Sequence, residues 1–172
     1  MVQVSRPAPN FTLAGVGGNE FKEYSLSDYR DKWVVLFFYP LDFTFICPTE
    51  ITEFSKRYDE FAKLNAQVLG VSTDSVHAHK AWLKELGELR YPLLSDITHQ
   101  VSHNYGVLLE EKGIALRGTF IIDQDGILRY ALYHDLGVGR SVKEILRVLR
   151  ALQTGELCPV EWGEGKETLG KA

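Results

Sequence analysis

The chain has 172 residues, of which 45% are hydrophobic and 24% charged, and a formal net charge of −4. That suits one domain of ordinary size with a sizeable core. It argues against a nucleic-acid surface, because no Lys/Arg cluster overrides the negative balance; the apolar runs are far too short for a membrane span. Residues 1–7 lack the apolar stretch of a signal peptide, so a cytoplasmic protein is expected. Gly15, Gly17 and Gly18 mark an early turn near a small hairpin. Residues 33–39 are continuously apolar, the pattern of a strand covered on both faces. Ile51, Phe54, Tyr58, Phe61 and Leu64 recur at helical spacing and predict an amphipathic helix from about Cys47 to Leu64. A second strand follows over 67–72, then a helix over 78–89 with Trp82, Leu83 and Leu86 on its apolar side. A short strand is expected over 91–94 and a short helix over 99–105. The β-rich runs 119–122 and 127–133 flank Asp123-Gln124-Asp125-Gly126, a hairpin signal. A closing helix over 142–152 carries Val142, Ile145, Leu146, Leu149 and Leu152 on one stripe. From about residue 155 a Gly-rich tail carries Cys158 and Trp162. The order is βαβ, a β-hairpin, then a helix, which is an α/β domain over 1–172 with a central sheet flanked by helices.

Cys47 stands where the buried strand runs into the helix. Pro48 suits the first helical turn, where its missing N–H costs nothing. Thr44 is one candidate cap; Cys47 itself, with Glu50 three residues on, is the other. Either register points unpaired N–H groups and the positive end of the helix dipole at the sulfur, an environment that lowers a thiol pKa. Two cysteines so far apart do not make a disulfide-stapled secreted scaffold; they read as catalytic or buried thiols.

The stretch Phe38-Tyr39-Pro40…Phe43-Thr44-Phe45…Cys47-Pro48-Thr49-Glu50 resembles the Pro-x-x-x-Thr-x-x-Cys motif of the peroxiredoxins, and in its longer form the typical 2-Cys branch with the alkyl hydroperoxide reductase C subunits. Arg117-Gly118-Thr119-Phe120-Ile121-Ile122-Asp123 resembles that family's arginine-bearing strand, Val138-Gly139-Arg140-Ser141 its second arginine motif, and Glu156-Leu157-Cys158-Pro159 the site of its resolving cysteine. The likeness runs from about Pro7 to Trp162. It implies a thioredoxin-like fold and a peroxide site made of Pro40, Thr44, Cys47 and Arg117, with Glu50 and Arg140 orienting Arg117 and the active-site loop. It further implies a Cys47 sulfenic acid that condenses with Cys158 of the partner subunit in an antiparallel dimer, and assembly into a ring of five dimers. The spacing itself is equally compatible with an intrachain disulfide. The reductant would be thioredoxin or a dedicated flavoprotein disulfide reductase, the substrates hydrogen peroxide and organic hydroperoxides. No metal, flavin or other cofactor is needed for this chemistry.

Ionisation alone does not make a fast peroxidase. Lowering a thiol pKa from about 8.5 to about 6 raises the thiolate fraction at pH 7 from roughly 3% to roughly 90%. The less basic thiolate is roughly 10- to 20-fold less nucleophilic, so the net gain is about two- to threefold. Something must also stabilise charge on the peroxide oxygens as the O–O bond breaks. Arg117, the Thr44 hydroxyl and the N–H groups at the helix start are the donors available, and Pro40 would close the pocket to water.

Other readings are weaker. A general thiol–disulfide oxidoreductase needs Cys-x-x-Cys, and position 44 is Thr. A holdase or assembly protein with a redox-switch cysteine would not need Pro40, Thr44, Cys47 and Arg117 together. His99 and His103 are four apart but lack the Glu of a zinc-protease motif and read as solvated. His77 and His79 do not share a helix face. Cys47 and Cys158 lack zinc spacing, and residues 123–126 are too short for a calcium loop. Trp33, Trp82 and Trp162 read as core or interface. One departure from the family stands out. Peroxiredoxins that overoxidise easily carry a Gly-Gly-Leu-Gly loop and a C-terminal helix with Tyr-Phe; residues 82–91 and 159–172 contain neither.

Overall fold

Runs that are apolar without alternation become inner strands. In the computed structural model, which describes residues 2–171, these are β3 (Trp33–Phe38), β4 (Ala66–Ser72) and β8 (Arg117–Ile122), buried almost throughout. The outer strands β2 (Glu20–Ser25) and β9 (Leu128–His134) expose much of their length. With β1 (Thr12–Gly17) and β5 (Leu93–Ser95), the described residues form a seven-stranded mixed sheet in the order β2-β1-β5-β4-β3-β8-β9. β3, β4 and β5 are parallel neighbours, and antiparallel pairs complete both edges. The main apolar cluster includes Leu36, Phe38, Leu69, Val71, Tyr105 and Phe120.

The chain divides between Arg140 and Ser141 into two compact units. In the first, the predicted 47–64 helix is two helices, α1 (Cys47–Lys56) and α2 (Tyr58–Lys63), broken at Arg57 (φ −97°, ψ 12°). Ile51, Phe54 and Phe61 are still all buried, so an apolar stripe does not reveal a one-residue irregularity. α3 (Val76–Leu86) starts at Ser75, whose Oγ accepts the Ala78 N–H, and stops at Gly87 rather than residue 89. Gly87 has φ 82°, the left-handed region in which a helix ends at least cost with glycine. α4 (Gln100–Asn104) follows, then a small hairpin of β6 (Leu108–Leu109) and β7 (Ile114–Ala115), too short for any periodicity to announce. The β8–β9 turn is held by Asp123, whose carboxylate accepts the N–H groups of Asp125 and Ile127 and the Nε–H of Arg129.

The second unit is α5 (Val142–Thr154) with the tail. Ser141 Oγ caps the helix by accepting the Glu144 N–H, and Gly155 ends it at φ 64°. The tail folds back on itself: Leu157 N–H bonds Gly170 O at 2.9 Å and Leu169 N–H bonds Leu157 O at 2.8 Å. No helix among the described residues is long and apolar enough to cross a membrane.

Candidate active site

β3 delivers the chain to Tyr39 and Pro40, both buried, and the turn over 41–46 leads to Cys47, the first residue of α1 and fully buried. The helix start differs from both predicted registers. The residue before it is Ile46, already in helical conformation, so neither Thr44 nor Cys47 is the cap. Thr44, half-buried, donates its hydroxyl hydrogen to Leu41 O at 2.9 Å. The hydroxyl counted above as a donor to oxygen is therefore left as an acceptor. The N–H groups of Thr49 and Glu50 both fold onto Ile46 O, and Pro48 has none. The N–H groups of Ile46 and Cys47, at the helix start, have no acceptor among the described residues.

Three side chains, Glu50 one turn on and Arg117 and Arg140 far along the chain, gather at the sulfur. Arg117 Nη1 donates to Cys47 Sγ at 3.3 Å and to Glu50 Oε2 at 2.9 Å, while its Nε donates to Leu136 O at 2.8 Å. Arg140 grips the same carboxylate with its backbone N–H (2.8 Å), Nε (3.0 Å) and Nη2 (3.1 Å). Its remaining hydrogens reach Phe38 O, Gly118 O and Thr119 Oγ1, on β3 and β8. Arg140 thus ties both strands to Glu50, and Glu50 holds Arg117 against Cys47. Gly118 on β8 packs closely against Val107, where a Cβ would stand 2.5 Å from Val107 Cγ1. Burial lowers the Arg140 pKa from its usual value, opposed by the Glu50 carboxylate.

The AhpC/TSA family model matches residues 4–131. The chain is 53% identical to a putative peroxiredoxin in the rubredoxin operon of Clostridium pasteurianum, over 96% of this chain and 98% of that one. It is 54% identical to peroxiredoxin-2 of Cricetulus griseus, over 96% and 89%. The chain belongs to the AhpC/TSA family. The fold agrees: the reduced 2-Cys peroxiredoxin of Plasmodium vivax superimposes with a TM-score of 0.94 at 40% identity, over 97% of this chain and 92% of that one. This peroxiredoxin is accordingly a thiol-dependent peroxidase with a thioredoxin-like fold, a mixed sheet flanked by helices.

The peroxiredoxin's second cysteine, Cys158, is half-buried in the second unit, with Thr154 Oγ1 at 3.5 Å and Ala151 O at 3.7 Å. His103 is exposed, 3.9 Å from Glu110, and among the described residues no group of three or more His, Cys, Asp or Glu side chains is placed to hold a metal. Trp82 and Trp162 are buried.

A buried polar cluster of Tyr39, Asp42 and His79 went unanticipated. Asp42 is 6% exposed and His79 and Tyr39 are fully buried, with Tyr39 OH donating to Asp42 Oδ1 at 2.7 Å. Desolvation, reinforced by the Asp42 carboxylate, raises the Tyr39 pKa well above its usual value, so it stays a donor. The signal was present: positions 79, 82 and 86 share one stripe of α3, so His79 stands on the side of buried Trp82.

Proposed function

We propose that this enzyme reduces hydrogen peroxide and organic hydroperoxides at Cys47. The observation that carries the reading is the Arg117 guanidinium, bound at once to Cys47 Sγ and to a carboxylate that Arg140 also holds. Arg117 and Arg140 are two buried cations facing one buried carboxylate, Glu50. A thiolate at Cys47 brings that cluster to neutrality, which buried charges require. The thiolate attacks one peroxide oxygen; the S–O bond forms, the O–O bond breaks, and the departing oxyanion takes a proton to leave as water or alcohol. Arg117 Nη2 has no acceptor among the described residues, leaving it available to the oxygens where charge develops. The N–H groups of Ile46 and Cys47 are further donors, Thr44 is an acceptor for a peroxide hydrogen, and Pro40 walls the pocket.

The product is a Cys47 sulfenic acid. Cys158, the other of the chain's two cysteines, condenses with it, releasing water and forming a Cys47–Cys158 disulfide between the subunits of a homodimer. A dithiol protein of the thioredoxin type, or a flavoprotein disulfide reductase, returns the two electrons. The resemblance supports the pairing, the dimer and a ring of five dimers, and the 2-Cys name of the P. vivax neighbour supports a cycle that uses a second cysteine. A cytoplasmic site of action fits this reducing cycle. The test is peroxide consumption by purified protein with a thioredoxin system and, separately, with a flavoprotein reductase. Non-reducing electrophoresis after one equivalent of peroxide should show a dimer that dithiothreitol removes; an oxidised monomer with an internal disulfide refutes the intersubunit pairing.

A further inference from the structure

The buried ring of His79 has oxygen partners at both nitrogens. Nε2 lies 3.0 Å from Leu94 O, a carbonyl that can only accept, so Nε2 carries a hydrogen. Nδ1 lies 2.7 Å from Asp42 Oδ2, and the other oxygen of that carboxylate already accepts from Tyr39 OH. One hydrogen is shared between Nδ1 and Oδ2, with Tyr39 OH a further 3.4 Å from Nδ1; carried on Nδ1, that hydrogen makes the pair an imidazolium facing a carboxylate that accepts at both oxygens. The polar groups facing the pair come from three elements: Tyr39 after β3, Leu94 on β5, and Asp74 beyond β4, whose Oδ2 accepts the Asp42 N–H at 2.9 Å and the Ser72 hydroxyl at 2.7 Å.

Asp42 belongs to the turn that leads into Cys47. It lies two residues after Pro40 and two before Thr44, and Thr44 donates to the carbonyl of its neighbour Leu41. The next residue, Phe43, has φ 56°, a left-handed conformation that a bulky side chain keeps only when its surroundings impose it. α3 imposes it from two points, His79 on Asp42 and Trp82 against the Phe43 ring (centroids 5.7 Å apart).

We propose that His79, as a buried imidazolium paired with Asp42, is a positioning residue for peroxide reduction, clamping the 41–46 turn so that Pro40 and Thr44 stand where the peroxide needs them. The proposal rests on the reading of Cys47 as the thiol that reduces peroxide. Cys47 is itself held through Arg117, Glu50 and Arg140, whose hydrogen bonds are separate from those of His79 to Asp42 and Leu94. Loss of the clamp therefore disturbs the pocket wall more than the sulfur's charged partners. Misplacing reacting groups by about 1 Å costs up to roughly 100-fold in rate.

Two measurements test this. Nitrogen-15 NMR of the histidine rings in the intact wild-type protein should show His79 with hydrogens on both nitrogens. Asp42→Asn should convert it to a neutral ring protonated on Nε2 alone, its Nδ1 now accepting from the new amide. Stopped-flow oxidation of Cys47 should be about 10- to 100-fold slower in His79→Leu, with part of the loss recovered in His79→Gln, whose amide still donates to Asp42. A neutral His79 ring in the wild type overturns the proposal whether or not the variants fold. So does a folded His79→Leu protein that reacts with peroxide at the wild-type rate. Wild-type protein that consumes no peroxide would instead overturn the functional reading, leaving the NMR result on the imidazolium intact.

Discussion

The two cysteines occupy opposite kinds of surroundings. Cys47 is fully buried, and its sulfur takes a hydrogen bond from a guanidinium pinned at two further points. Cys158 is half-buried in a tail, beside a neutral hydroxyl and a neutral carbonyl at 3.5 Å and 3.7 Å. Charge-assisted bonds in a dry interior are strong and preorganised; neutral sulfur contacts near solvent are weak and readily exchanged. The difference is one between a thiol fixed by charged partners and a thiol loosely held by neutral ones, as the proposed roles of the two require.

Removing each sulfur in turn is the severest way to break that comparison. Cys47→Ser should abolish peroxide reduction and leave the fold intact. Cys158→Ser should still reduce the first equivalent of peroxide but sustain no thioredoxin-linked turnover, because no second thiol resolves the sulfenic acid. Sustained thioredoxin-linked turnover in either variant would end the assignment of roles.

Next in size is Arg117→Ala. If the guanidinium stabilises the transition state, peroxide reduction falls by about 100- to 1000-fold. The thiolate fraction, measured by pH-dependent alkylation, should explain only a small part of that loss. A rate loss equal to the lost thiolate fraction would leave the transition-state role unsupported.

The third effect is on stability. Arg140→Leu leaves Glu50 buried with one cation in place of two and should cost about 3–5 kcal/mol. Urea unfolding reads this directly. On the other side of the comparison, Thr154→Ala removes the hydroxyl near Cys158 and should cost only about 1 kcal/mol, since the bonds lost are neutral and half-exposed.

The smallest expected change is a near-absence of one. Residues 82–91 do not carry the Gly-Gly-Leu-Gly loop, nor residues 159–172 the Tyr-Phe pair, of easily overoxidised peroxiredoxins. The first turn of α1 should therefore open readily and let the disulfide form before a second peroxide attacks. Activity should survive many cycles in excess peroxide. Mass spectrometry that finds stoichiometric sulfinic acid at Cys47 within a few turnovers would show that those elements do not set sensitivity here.

Much of the site was legible because its signals are local or motif-borne. The unbroken apolar run before Cys47 marked a central strand, and the periodicity after it marked a helix. The segments around Cys47, Arg117 and Arg140 carried their own resemblance. The helix cap was misjudged because Ser, Thr and Asp near a helix start are read as caps by type, whereas the turn here uses Thr44 on Leu41 O and leaves Ile46 in the cap position. The break at Arg57 and the stop at Gly87 escaped because an apolar stripe tolerates a one-residue irregularity, and because glycine ends a helix only where its φ turns positive.

Sequence alone determined which side chains are present to ionise, to donate and to be buried. Its hydrophobic pattern determined which segments must lie inside a sheet, since only burial satisfies apolar runs on both faces. Tertiary structure alone decided which of those side chains meet. Glu50 and Arg140 are 90 positions apart and Asp42 and His79 are 37 apart. No local periodicity encodes such distances. They follow from the order in which β3, β4, β5 and β8 pair, and that order places two arginines and a carboxylate at Cys47 and an imidazole beneath the turn that precedes it.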